Sequence, residues 1–405
     1  MLALGKDGKP IGNALTWMDK RASSEAAELA RRLGGDYIYR NTGWRANASL
    51  DAAKIMYMKR SGNYRGAALY ISTLEYMNLF LTGNTVCDPT NAAIRQIFNV
   101  HSGKYDDRII EAVGVARNEL PEVMPSGSLI GRITEPVSKV TGLVPGTPVY
   151  NGAHDQYCAS IGAASVENGD LLLSAGTTWV IMGISDKPMI SDAWFAFAAH
   201  PVGGLYGAII SLVGSGSSLQ WFKDNFTELG FDEISREAAS RGDKTHGLFF
   251  YPHLSGISHP KSGSVVRGAF TGIALEHDKY DFAMAIMEAS AFNVRHALED
   301  FAKEGFDLKT LRVMGGAAKS DFWCGLIAAS IGRPVEITNE NEACALGAAI
   351  IAATGAKAYP DLKGAVRAMA AKTRMVSPDE NMIGKMADKY LHYQRMWECI
   401  MRYYE

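Results

Sequence analysis

Cysteine is scarce and scattered in this sequence, with five in 405 residues: Cys87, Cys158, Cys324, Cys344 and Cys399. The number is odd, the spacings are long and no C-x-x-C pair occurs, so neither a disulfide framework nor a zinc site is suggested. An excess of charge of one sign is also lacking, because 41 Lys and Arg nearly balance 43 Asp and Glu, leaving a formal net charge of -2. No basic face is set aside for a phosphodiester backbone, and nucleic acid is not an expected partner. No apolar run approaches the length of a membrane span. The apolar opening at residues 1–4 is cut short by Lys6, Asp7 and Lys9, which excludes a secretory leader core. No membrane partner is expected, and the scattered thiols fit a reducing cytoplasm. Low-complexity tracts and short-period repeats are missing too. What is present is 47% hydrophobic and 21% charged, enough to build two or more buried cores.

From about residue 140 to 355, short apolar runs bounded by glycine alternate with longer helical patterns, the mark of an α/β protein. The clearest strands are residues 148–152, 171–175, 179–184, 207–213 and 311–314. Each ends at a glycine or small residue, where sites in layered sheets collect. Residues 278–301 read as one long core helix, with Phe282, Ile286, Ala289, Phe292 and His296 recurring at the helical period. The last helix has a start signal in which Ser377 caps, Pro378 takes the first position, and Asp379 and Glu380 complement the dipole. Its stripe of Met382, Met386, Tyr390, Tyr393, Trp397 and Ile400 reads as a packing face.

The chemistry concentrates in residues 148–184, PVYNGAHDQYCASIGAASVENGDLLLSAGTTWVIMGI. Asp155 follows a strand and Gly152, where a carboxylate projecting into a cleft accepts a hydroxyl proton as a general base. Gly176, Thr177 and Thr178 lie between two apolar strands, and such a turn presents N–H groups and hydroxyls to a phosphate. Taken singly, Asp155 fits a turn or helix cap more often than a site, and Gly-Thr-Thr more often fits a plain hairpin. His154, His253 and His259 lack partners at ligand spacing, so no metal-ligating residue is assigned. His154 reads as a local hydrogen-bonding residue. A second cluster, Gly214-Ser215-Gly216-Ser217-Ser218, joins a strand to the helical start Leu219-Gln220-Trp221-Phe222, and helix starts favour anions. A third, Met314-Gly315-Gly316-Ala317-Ala318-Lys319-Ser320, again follows a strand, and its glycines admit a flat ligand or simply close strand–helix packing.

These residues bring the sequence close to a known family. Gly268-Ala-Phe-Thr-Gly272-Ile273, then Asp281-Phe282 and Ala285-Ile286-Met287-Glu288, resembles the second signature of the FGGY carbohydrate kinases throughout. Residues 47–60 meet the first signature in part, with Lys54 kept and Tyr57 in place of tryptophan. Residues 342–349 are similar to the family's late small-residue helix. The resemblance implies two ribonuclease-H-like, actin-like ATPase domains with a cleft between them, MgATP as phosphoryl donor, and a sugar or polyol as acceptor. By it, Asp155 is the base and Gln156 lies beside the substrate. Thr177 contacts the transferred phosphate, Gly216 and Gln220 line the nucleotide's path, and Gly316 with Ser320 borders the adenosine. Trp17-Met18-Asp19-Lys20-Arg21 resembles the family's W-x-D-x-R segment, placing Trp17 and Asp19 near the sugar. A homodimer is the ordinary state that the resemblance implies.

Two departures carry weight. Gly256-Ile257-Ser258-His259-Pro260 lacks the charged pair usual in its loop, and Ser49 stands where glycerol kinases have a tyrosine. A xylulokinase-like ketose or polyol kinase is therefore expected rather than a glycerol kinase. No Asp-x-Gly-Thr turn occurs among the 405 residues. The expected division is residues 1–165, an incomplete first (substrate and base) domain, and 166–405, the nucleotide domain. The chain alone is then expected to be weakly active or inactive; the alternatives are a non-catalytic nucleotide- or sugar-binding remnant and, more remotely, an actin-like assembly protein.

Overall fold

The structure is a computed structural model that describes residues 1–192, 195–212, 214–241, 247–258, 265–338 and 342–405. Val213, His259 and Pro260, on which parts of the expectations above fall, lie outside the described residues. The chain forms two compact units: Met1–Asn168 with Ile184–Ala208 and Cys344–Ala370, and Gly169–Gly183 with Ile209–Ala343 and Ala371–Glu405. The expected division at 165/166 falls three residues before the 168/169 boundary, while residues 184–208 and 344–370 cluster with the first unit.

In the first unit, short strands pair in twos: Leu2–Leu4 with Leu69–Ile71, Val86–Cys87 with Glu122–Val123, and Leu129–Arg132 with Pro148–Tyr150. Its centre is polar as well as apolar. Arg95, almost wholly buried, lies 2.7 Å from the buried Glu75 and 3.4 Å from Asp51. Burial alone raises the Glu75 carboxyl's pKa, but the Arg95 guanidinium overrides this and holds it below its ordinary value. The helix Asp155–Gly162 is anchored through Tyr157, whose buried hydroxyl donates to the Gly207 carbonyl at 2.9 Å. One turn on, Ser160 Oγ and His200 Nε2 are 2.9 Å apart. His200 Nδ1 accepts from the Val202 amide at 3.0 Å, so Nε2 carries the proton and His200 is no base for Ser160.

The large sheet has the strand order Ala196–Ala199, Tyr206–Leu212, Trp179–Ser185, Asp170–Ala175, Thr310–Met314, Val335–Thr338, Thr373–Val376. Asp170–Ala175 and Trp179–Ser185 form the antiparallel hairpin expected from the glycine turn, with Trp179 opposite Ala175. Thr310–Met314 then runs parallel to Asp170–Ala175, as β-helix-β alternation requires. Arg312 on that strand pairs with Asp170 at 3.0 Å and Glu336 at 2.9 Å, tying three neighbouring strands together.

The long helix is Lys279–Lys303, capped by Asp278, whose side chain accepts from the Tyr280 amide. It is buried almost all round from Ala283 to Phe292 rather than along one stripe, and His296 lies on its exposed side. This follows from its neighbours, because Ser215–Phe226, Phe231–Ala239 and Asp321–Ile331 all pack on it. Burying a residue such as Phe292 contributes about 1.5–3 kcal/mol. The last helix, Glu380–Tyr403, is capped by Asp379, which accepts from the Asn381 and Met382 amides, and not by Ser377. Pro378 pushes its predecessor into extended backbone, so Ser377 and Pro378 form the entry and Asp379 is the first residue free to cap.

Candidate active site

Three glycine clusters far apart in sequence meet in the second unit. The turn Gly176, Thr177, Thr178 is exposed between its two strands. Gly214, at φ 86°, takes the cap position of the helix Ser215–Phe226, so Gly216 lies in that helix's first turn. A Cβ on Gly216 would come within 2.0 Å of the Gly176 carbonyl oxygen and 2.8 Å of that of Thr177. Gly315, at φ 90°, is also close-set, with a Cβ there meeting the Ala175 carbonyl at 2.9 Å and the Gly176 amide nitrogen at 3.2 Å. Backbone therefore lies on backbone at both contacts, which only glycine permits. The result is a cradle with an exposed turn and an adjoining helix start, the arrangement that offers N–H groups to phosphate.

The remaining nucleotide candidates are held in different ways. Gly316 opens a short 3-10 turn and has room, its nearest neighbour being the Ala175 carbonyl at 3.7 Å. Ser320 caps the helix Asp321–Ile331 through the Trp323 amide, and its hydroxyl lies 2.7 Å from that of Ser235. Gln220 is exposed and donates to Asp224 at 2.7 Å. Asp232, Ser235, Arg236, Lys319, Ser320 and Phe322 line a cavity of about 340 Å³. Ser235 was not foreseen, because nothing in a Ser within a helical pattern marks it as facing residue 320.

In the first unit, Asp155 is the first residue of its helix, with its side chain 66% exposed. The preceding strand end is fixed from several sides. Asn151 donates to the carbonyls of Cys87 and Met124, and the His154 amide donates to Thr90 Oγ1 at 2.7 Å. Thr90 is in turn bonded to the buried Asp88, the cap of the helix Pro89–Ile94. Gln156 follows directly, and its Oε1 is buried without a hydrogen-bond donor among the described residues. The exposed carboxylate has the chemistry to take up a ligand hydroxyl, and the buried Gln156 Oε1 still has a hydrogen bond to make, which a turn of its side chain would offer to a ligand.

Trp17 is 71% exposed. Asp19 is held by Arg21 through Nε at 3.0 Å and Nη2 at 2.6 Å. Those hydrogen bonds bring its carboxyl down to about 2. Arg21 also lies over the Tyr57 ring, 5.6 Å from its centroid, which joins the W-x-D-x-R segment to the helix Asp51–Arg60. Lys54 on that helix donates to the Ser49 carbonyl. Among the described residues no group of three His, Cys, Asp or Glu could hold a metal ion. His253 lies 4.6 Å from Trp397 with the rings tilted at 40°, and burial lowers its pKa to about 4. No helix among the described residues is long and apolar enough to cross a membrane.

Backbone that can take a polyphosphate and a carboxylate open to a hydroxyl are the two things phosphoryl transfer to an alcohol asks of a protein; the chain is a kinase of that class. It belongs to the FGGY family of carbohydrate kinases, whose N-terminal domain matches residues 1–162 and whose C-terminal domain matches residues 171–356. Among its relatives, a xylulose kinase of Staphylococcus epidermidis is 25% identical over 99% of this chain and 80% of its own length. A glycerol kinase of Bacillus cytotoxicus is 30% identical over 85% of this chain and 71% of its own. Among solved structures, a xylulose kinase from Rhodospirillum rubrum superimposes with a TM-score of 0.89 at 24% identity, covering 100% of this chain and 83% of that one. A Plasmodium falciparum glycerol kinase with ADP gives 0.87 at 21%, covering 98% and 81%. The fold is the two-domain, actin-like ATPase fold of these kinases.

Proposed function

We propose that the chain transfers the γ-phosphoryl group of MgATP to a hydroxyl of a ketose or polyol of the xylulose type, with Asp155 as the general base. The observation that carries this reading is the exposed Asp155 carboxylate at the first position of its helix, followed directly by Gln156, whose buried Oε1 has no donor among the described residues. A sugar hydroxyl is both donor and acceptor, so one hydroxyl can give its hydrogen to Gln156 while its neighbour gives a proton to Asp155. The turn at 176–178 with Gly216 and Gly315 takes the nucleotide's phosphates; Thr177 lies by the transferred group, and Gln220, Gly316 and Ser320 border the nucleoside. Trp17 and Asp19 line the sugar. Magnesium, which keeps several waters and needs only one or two carboxylates besides phosphate oxygens, does not require the three-ligand cage that is absent among the described residues. When bound it neutralises phosphate charge.

The choice of a ketose over glycerol rests on Ser49, which offers no phenol hydroxyl to a small polyol. A coupled ADP-release assay over pentuloses, hexuloses, polyols and glycerol tests it. Preference for a pentulose supports the reading, and preference for glycerol overturns it. A second reading, nucleotide or sugar binding with slow or no turnover, draws on one observation: no Asp-x-Gly-Thr stretch occurs among the 405 residues. Calorimetry showing ATP or sugar binding without ADP release would favour it. Cytoplasmic location is proposed with either reading.

A further inference from the structure

We infer that His154 is a positioning residue that holds one oxygen of Asp155, leaving the other to take the proton. The inference rests on Asp155 being the base. Three groups meet at the start of the helix Asp155–Gly162. The Gln156 amide nitrogen lies 2.6 Å from Asp155 Oδ1 and 3.4 Å from His154 Nδ1. His154 Nδ1 lies 3.1 Å from the same Oδ1. The amide has one hydrogen, and the short, charge-assisted contact with the carboxylate claims it over the long contact with a neutral nitrogen. Nδ1 is then left beside a carboxylate oxygen. Two bare acceptors at that distance would repel, so Nδ1 bears the imidazole's hydrogen and donates it to Oδ1.

Burial of the ring keeps the imidazole neutral against the pull of Asp155 and Asp88, so it has one hydrogen to place. The backbone that carries the ring is fixed, because the His154 amide is bonded to Thr90, Thr90 to Asp88, and Asp88 to the amides of its own helix, and the ring lies edge-on to Tyr157 with centroids 6.2 Å apart. Oδ1 thus receives two donors from a fixed frame. An exposed aspartate would otherwise sample several rotamers, and here one is selected with Oδ2 as the proton acceptor.

Long-range proton–nitrogen NMR correlations on the histidine-labelled chain read the tautomer directly and need neither substrate nor turnover. The expected result at neutral pH is hydrogen on Nδ1 of His154, and hydrogen on Nε2 would overturn the inference. Turnover with D-xylulose and MgATP gives the second readout. His154→Ala is expected to lower kcat roughly 10- to 100-fold, with KM for both substrates within about threefold. His154→Asn, whose amide can stand where Nδ1 stands, is expected to recover most of the loss. His154→Ser can cap the helix but has no donor where Nδ1 stands, and it is expected to hold thermal stability without recovering kcat. Equal recovery by Ser and Asn, or an undiminished Ala variant, would reduce His154 to a helix cap. Asp155→Asn measured alongside separates the two ideas. If it retains turnover, the base assignment fails; if it is inactive while His154→Ala is unaffected, only the present inference fails.

Discussion

Replacing Gly216 with alanine tests the phosphate cradle more sharply than any charge change. The added Cβ would stand 2.0 Å from the Gly176 carbonyl oxygen and 2.8 Å from that of Thr177, inside the 3.0 Å that real Cβ contacts keep. Both obstacles are backbone, so no side chain can swing aside, and the helix Ser215–Phe226 must move away from the turn. Overpacking of this kind costs about 1–3 kcal/mol. If that strain falls on the phosphate-binding arrangement, nucleotide affinity drops by roughly 5- to 150-fold, since each 1.4 kcal/mol is tenfold. Gly384→Ala is the control, because it lies in the last helix, outside the assigned site, with nothing within 4 Å of an added Cβ and a backbone that is not left-handed; it is expected to stay within about threefold. Titration with a fluorescent ADP analogue, alongside thermal unfolding, measures both. Unchanged affinity in Gly216→Ala, or equal damage from Gly384→Ala, would refute the packing argument.

Asp155→Asn is expected to lower kcat by about 10²- to 10⁴-fold while ATP still binds, as judged by calorimetry. Gln156→Leu, which removes the orphaned acceptor, should raise the sugar KM about tenfold and leave the ATP KM unchanged in steady-state kinetics. Glu75→Gln breaks a buried pair with Arg95 and should cost about 3–5 kcal/mol in urea unfolding. Because Glu75's carboxyl is held below its ordinary value in the fold, its stabilisation is complete above the unfolded pKa of about 4.3 and is lost as pH falls toward the lower folded value. The variant should therefore lose less stability than the parent between pH 5 and 3 in thermal scans; a parallel decline would show that Glu75 does not carry this pH dependence.

What the sequence discloses is local, and what it conceals is long-range. The hairpin at Asp170–Ala175 and Trp179–Ser185 was legible because apolar runs flank a glycine turn, and the helix Lys279–Lys303 because its period persists. Gly216 was legible as a glycine at a helix start, but its approach to Gly176, forty positions away, is a fact of tertiary packing. The same holds for Ser235 against Ser320, and for Arg95 between Glu75 and Asp51, each of which looks like an ordinary surface residue in its own window. Ser377 was misplaced as a cap because two cap-forming residues flank Pro378, and the choice depends on where the chain turns. Two of the switches between units fall inside strands, between Gly183 and Ile184 and between Ala208 and Ile209, and a third at the start of the helix Ala343–Gly355, where composition does not change. In the first unit, Asp155 was singled out by its place after a strand and Gly152, and Gln156 by a family pattern, whereas the unpaired state of Gln156 Oε1 appears only once its surroundings are folded.

The central claim, phosphoryl transfer to a sugar hydroxyl with Asp155 as base, is tested most directly by product formation under enzyme excess, where even slow turnover registers. The folded chain and its Asp155→Asn variant are each mixed with MgATP and a panel of pentuloses, hexuloses and polyols, and phosphorus NMR follows the sugar phosphate. The account predicts a phosphate ester on at least one ketose or polyol with the parent chain, at a rate about 10²- to 10⁴-fold above the variant's. No ester on any panel member, or equal rates from the two proteins, would contradict it.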